Sequence, residues 1–131
     1  AGEHNDCVAM AKQFADRTHF VHLRSCYIFP NGNFTEASHL GGRGHLIELC
    51  RIFEKAEQEG KCNSGRRLPM RVDHGMTFTD EPGGVFDESN HGHNAGYTLL
   101  GRMFAMGQIQ GVIATVDDEL GIKYKQPGFY D

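Results

Sequence analysis

The apolar positions change period several times along this chain, and each change predicts an element. In NDCVAMAKQFAD, residues 5–16, Val8, Ala11 and Phe14 or Ala15 recur at helical spacing, with Asn5 or Asp6 ready to cap the N-terminus. The next stretch, THFVHLRS at 18–25, alternates instead. Val21 and Leu23 fall on one side and Phe20, His22 and Arg24 on the other, as in a strand with one apolar face. Residues 26–43 are rich in turn formers (Pro30, Asn31-Gly32, Gly41-Gly42) and read as a long loop. HLIELCRIFEKAEQE at 45–59 restores the helical period, with Leu46, Leu49, Cys50 and Phe53 on one face. GKCNSGRR breaks that helix, and LPMRVDHG, 68–75, predicts a second strand with Met70 and Val72 together. A second Gly-rich loop, 76–96, leads into a final helix at about 97–117. Its inward stripe is expected to be Leu100, Phe104, Ile109, Val112 and Val116, with Gly121 as the stop.

Strands alternating with helices imply parallel pairing through crossovers. Both strands end in chemistry-bearing side chains followed at once by a long loop, the arrangement in which α/β barrels and open α/β sheets build their sites. Only two strands are counted. Two strands cannot close a (β/α)8 barrel or cover both faces of an open sheet, so the pattern predicts part of a larger α/β fold, about two βα units.

Composition narrows the function. The 131 residues are 39% hydrophobic and 23% charged, with a net charge of −4, which disfavours a nucleic-acid or anionic-membrane partner. No apolar run is judged to approach the roughly 20 residues of a bilayer span, and no signal-like segment opens the chain. It starts without methionine, as a processed product or an internal piece would. The four cysteines, at 7, 26, 50 and 62, have no framework spacing and read as reduced thiols in a cytoplasmic protein, Cys50 as a small buried hydrophobe. Eight histidines raise the expectation of metal or acid–base chemistry without locating it.

The strand ends locate it. If the two strands are neighbours, His22 and Asp73 lean toward one point, an imidazole and a carboxylate suited to Mn²⁺, Fe²⁺, Co²⁺ or Zn²⁺. The alternative is a metal-free polar interior in which His22 and Asp73 sit with Arg24 and Arg71. His74, just past the strand, either turns back over the site, with Gly75 supplying backbone freedom, or is a surface loop histidine. Weaker signals are His91 and His93 in HGHN, Glu36 and His39 in FTEASHL, and GGRGHL, which resembles a phosphate cradle only loosely.

FVHLRS, FTEASHL, LPMRVDHG and NAGYTLLGRMFAMGQIQGV, in this order over most of residues 5–116, resemble the C-terminal part of mannonate dehydratase. The resemblance implies a (β/α)8 barrel, xylose-isomerase-like, and a divalent metal, Mn²⁺ or Fe²⁺ with Co²⁺ an option. It implies dehydration of D-mannonate to 2-keto-3-deoxy-D-gluconate in hexuronate breakdown. Carried over by motif, His22 and Asp73 would be metal ligands, His74 and Tyr97 the acid–base groups, and Arg24 the neighbour of the substrate carboxylate. Met76 stands where the family has a histidine, Val72 where it has a proline, and GRGHL where it has an acidic turn. The 77–95 loop is also longer than usual. The family's cysteine and second histidine ligands have no counterpart; Cys7 belongs to the first helix. Residues 117–131 read as an extension. The competing classes are a related metal-dependent sugar isomerase and a non-catalytic barrel piece acting by association. Partners are expected to be a small sugar acid and either the rest of the barrel or further copies of the chain, which alone should be inactive.

Overall fold

The computed structural model describes residues 5–76, 78 and 98–123. Its elements run α1 (Cys7–Phe14), β1 (Val21–Leu23), β2 (Cys26–Ile28), β3 (Phe34–Glu36), α2 (Leu46–Gln58), β4 (Met70–Val72) and α3 (Leu99–Glu119). This is a mixed helix and strand fold, centred on a parallel β1–β4 pair with α2 between the two strands in sequence.

The register pairs Val21 with Met70, His22 with Arg71 and Leu23 with Val72. Val21, Leu23 and Val72 are buried, while His22 and Arg71 are exposed, so the period-two reading of both strands holds. Asp73 extends the ladder through its N–H, which donates to Leu23 O at 2.9 Å. Two residues beyond Arg71, it faces the same side as His22, as expected of neighbouring parallel strands.

Local chemistry sets the start of α1 and the end of α3. Asp6 caps α1, its Oδ1 accepting from the N–H groups of Val8 at 3.0 Å and Ala9 at 2.9 Å. Leu46, Cys50, Phe53 and Ala56 form the buried face of α2. Gly121, at φ 68°, ends α3: its N–H donates to Asp118 O and that of Ile122 to Asp117 O, which satisfies two terminal carbonyls.

Three expectations need correction. The 26–43 segment is not a plain loop, because β2 and β3 pair antiparallel within it, with Cys26 opposite Glu36. The described residues therefore hold four strands in two two-stranded sheets rather than two strands. A tight connection makes the hairpin possible: Phe29 N–H donates to Asn33 O, Gly32 takes φ 85°, and Asn31 Oδ1 accepts from Asn33 N–H. Second, the inner stripe of α3 is Gly101, Ala105, Ile109, Val112 and Val116, whereas Leu100 is 58% and Phe104 42% exposed. The rotation follows from close backbone packing. A Cβ on Gly75 would lie 2.4 Å from Gly101 C and O, and one on Gly101 would lie 2.0 Å from Met76 O, so the two glycines face each other. Third, among the described residues α3 is long and apolar enough, by length and composition, to cross a membrane, contrary to the sequence count. Its packing on α2 and β4 accounts for the buried part of that apolar surface.

The remaining glycine-rich segment is no phosphate cradle. A Cβ on Gly42 would meet Ser25 Oγ at 2.1 Å, and one on Gly44 would meet Arg24 O at 2.9 Å. These glycines let the chain cross tightly over the end of β1 before α2 begins.

Candidate functional site

Chemistry collects at the C-terminal ends of β1 and β4, and the hairpin brings a third contribution. His22 Nδ1 stands 3.3 Å from Asp73 Oδ1. Two donors each about 2.1 Å from one ion, at near-octahedral to near-tetrahedral angles, are roughly 3.0–3.4 Å apart. The observed spacing is that of a His–Asp pair and is also compatible with one edge of a divalent-metal polyhedron, to which an imidazole and a carboxylate could contribute. It is only an edge. Among the described residues, no group of three or more His, Cys, Asp or Glu side chains gathers as a metal site. Cys7 is exposed on α1 and contributes nothing here.

His74 does turn back. It is buried, at 7% exposure, with Nδ1 3.2 Å from Glu36 Oε1 and Nε2 3.8 Å from Asp73 Oδ2. A surface loop histidine is thereby excluded. Gly75 contributes through its close approach to Gly101 rather than through a left-handed backbone.

Arg24 lies beside the same cluster, but its guanidinium is engaged. Nε donates to both oxygens of Glu36, at 3.1 and 3.2 Å, and Nη2 also donates to Oε1. The hydrogen bond to Glu36 raises the Arg24 pKa above its already high ordinary value. Its guanidinium carbon also stands 5.3 Å from the centre of the Phe34 ring. Cys26, across the hairpin from Glu36, has its thiol pKa raised mainly by burial. Arg71 remains exposed, and its Nε donates to Val72 O at 3.4 Å.

His39 is structural. It is buried, its Nε2 is 3.0 Å from Leu23 O, and its backbone N–H donates to Gln108 Oε1 on α3. It ties the hairpin's exit to the end of β1. Tyr97, His91 and His93 lie outside the described residues. Glu36 is the residue that single-sequence reading undervalued. Its signal was the Phe34–Thr35–Glu36 alternation, which is masked by the turn residues around it.

Comparison with known proteins identifies a family. The family model of D-mannonate dehydratase (UxuA) matches residues 1–123. Among similar proteins, "Mannonate dehydratase 2" of Agrobacterium fabrum is 37% identical over 118 residues, covering 88% of this chain and 28% of the relative. "Mannonate dehydratase" of Saccharophagus degradans is 35% identical over 115 residues, covering 86% of this chain and 28% of the relative. That of Brucella canis is 32% identical over 114 residues, with 86% and 26% covered. The chain thus spans little more than a quarter of the length of these relatives. It belongs to the D-mannonate dehydratase family.

Proposed function

We propose that this chain is the C-terminal part of a (β/α)8 barrel, and that the complete barrel is a cytoplasmic, metal-dependent mannonate dehydratase. The observation carrying the reading is the convergence of His22, Asp73 and His74 at the ends of two parallel strands. Strand ends of this kind are where barrel enzymes place their chemistry.

In this reading His22 and Asp73 hold a divalent ion, Mn²⁺ or Fe²⁺ with Co²⁺ an alternative, together with ligands from the rest of the barrel. Such an ion, when bound, stabilises negative charge developing on the substrate's carboxylate. The protein's own groups handle the protons. The C2 proton of D-mannonate is only weakly acidic, and the C3 hydroxyl leaves as water, so one base and one acid are required. His74, buried at the strand ends, takes one role and Tyr97 the other. The C2 proton and the C3 hydroxyl leave together as one water, and the resulting enol becomes 2-keto-3-deoxy-D-gluconate. Arg24 borders the substrate carboxylate, its orientation set by Glu36.

Completion of the barrel also gives a use to surface that this chain leaves open. Leu99, Leu100, Met103, Phe104 and Met106 are exposed along α3. The remaining barrel, or further copies of the chain, would cover that face, at about 25 cal/mol per Å² of apolar surface removed from water.

The test is a chimera. Residues 5–123 replace the matching segment of the Agrobacterium fabrum relative, and the purified protein is assayed with Mn²⁺. Conversion of D-mannonate to 2-keto-3-deoxy-D-gluconate is expected. A folded chimera that leaves mannonate untouched but interconverts aldoses and ketoses would overturn the reading in favour of a sugar isomerase.

A further inference from the structure

Two arginines lie near the His22–Asp73 pair, and only one of them has its charge matched. Arg24 donates from Nε to both oxygens of Glu36 and from Nη2 to Oε1, so a carboxylate of the chain already balances it. Arg71 is the register partner of His22 across the parallel strands and stands two residues before Asp73. Its hydrogen bond runs from Nε to Val72 O at a long 3.4 Å. Among the described residues its two terminal nitrogens have no partner, and no carboxylate lies within ion-pair distance of it.

The rest of the fold shows what surrounds that cation. Val21, Leu23 and Val72, on the opposite side of the strand pair, are buried in the core with residues of the helices. The side that carries His22, Arg71 and Asp73 is the open one, and completing the proposed barrel turns it inward. A guanidinium enclosed without an anion carries a large desolvation cost, so Arg71 requires a negative partner there. The acids nearby already have partners: Asp73 faces His22 at 3.3 Å, and Glu36 faces Arg24 and His74.

We propose that Arg71 is a substrate-binding residue that pairs with the carboxylate of a sugar acid and so selects acids over uncharged polyols. Its planar guanidinium presents a fork of N–H donors that matches a carboxylate, which a point charge does not. The strand holds the fork roughly 6–7 Å along β4 from Asp73 and one strand spacing from His22. A carboxylate held by Arg71 therefore leaves the adjoining hydroxyl-bearing carbons beside the His22–Asp73 pair. Arg24, already balanced by Glu36, adds hydrogen bonds at the border of that carboxylate rather than the matching charge.

The acid substrate in this proposal rests on the dehydratase reading, and the test reads binding rather than turnover so that the two fail separately. Calorimetry with Mn²⁺ present is run on the chimera carrying His74→Asn, in which slow turnover leaves the ligand intact. It compares D-mannonate with D-mannitol, the six-carbon polyol that lacks the carboxylate. Mannonate should bind more tightly by roughly 10–100-fold, the scale of a charge-assisted pair. Adding Arg71→Gln should remove most of that preference by weakening mannonate alone, and Arg71→Lys, which keeps the charge but not the fork, should fall between. Mannonate binding no tighter than mannitol overturns the proposal before Arg71 is altered. An Arg71→Gln protein of unchanged Mn²⁺ content that keeps the preference overturns it as well. Equal loss of both ligands does the same, and would make Arg71 a balancing charge for an acid of another strand. Where Arg71→Gln does not fold, Arg71→Lys decides, and an undiminished preference in that variant overturns the proposal. A preference for mannonate that depends on Arg71, in a chimera that with His74 in place does not dehydrate it, counts against the dehydratase reading alone.

Discussion

Two pairs of acids in this molecule are handled in opposite ways. At the strand ends Asp73 and Glu36 each face a base or a cation, with His22 3.3 Å from Asp73, His74 3.2 Å from Glu36, and Arg24 clasping Glu36 from the other side. Between α2 and α3, Glu54 instead meets Asp117, which is only 5% exposed. There burial, then the charge of Asp117 and of Glu57, push the Glu54 carboxyl up to about 7, and Arg67 opposes them only weakly. The adjoining Cys50 thiol is pushed up to about 12, first by the same burial. The strand-end acids stay beside an imidazole or a guanidinium. Between the helices, burial and the facing acids instead disfavour the charged form of Glu54. Acidic side chains alone therefore do not mark the site; the partners do.

The sharpest way to break this contrast is to remove a partner at the strand ends. In the chimera, His74→Asn should lower kcat by roughly 10²–10⁴-fold, the scale of acid–base catalysis, while the Mn²⁺ content per barrel stays the same. Near-normal turnover would remove His74 from the mechanism and leave the strand-end acids with no more chemistry than the helix pair.

A smaller effect is expected between the helices. Glu54 has a folded-state pKa of about 7 against 4.5 for an ordinary glutamate. Its contribution to stability is therefore fully present below pH 4.5 and is lost as pH rises through 7. Partial exposure screens the pair, so the loss amounts to about 1–2 kcal/mol. Glu59 and Glu119, lowered by hydrogen bonds to Lys61 and Arg51, act in the opposite sense, but below pH 4.5, so the windows do not overlap. Urea unfolding midpoints of the chain between pH 5 and 8 should fall in this way, and Glu54→Gln should flatten the curve. An undiminished slope in that variant would show that the interhelical pair is not what titrates.

The sequence made the skeleton legible because its periodicities are long and consistent. The α1, α2 and α3 helices and the parallel pairing of the two loaded strands follow from spacing alone, and His22 and Asp73 meet because period two puts them on one face. The hairpin was not legible. β2 and β3 are no shorter than β1 and β4, but they flank Pro30, Asn31, Gly32 and Asn33, whose turn chemistry masks their alternation. With the hairpin went the role of Glu36, which depends on a fold-back that only tertiary structure reveals. The face of α3 was misjudged for a related reason. Apolar residues occur all around its first turns, and the deciding contact is the Gly75–Gly101 approach, a backbone fit that no hydrophobic pattern encodes. The motif order carried the family where spacing could not.

The central claim is that β1 and β4 deliver two ligands of a metal site that the rest of the barrel completes. Mn²⁺ binding measured by calorimetry on the isolated chain, the chimera and the chimera with Asp73→Asn tests it most directly. The chimera should bind one Mn²⁺ per barrel. Asp73→Asn should weaken that binding by more than the roughly 10–100-fold expected from losing an outer partner, and the isolated chain should bind only weakly. Unchanged affinity in Asp73→Asn, or tight one-to-one binding by the isolated chain, would contradict the account.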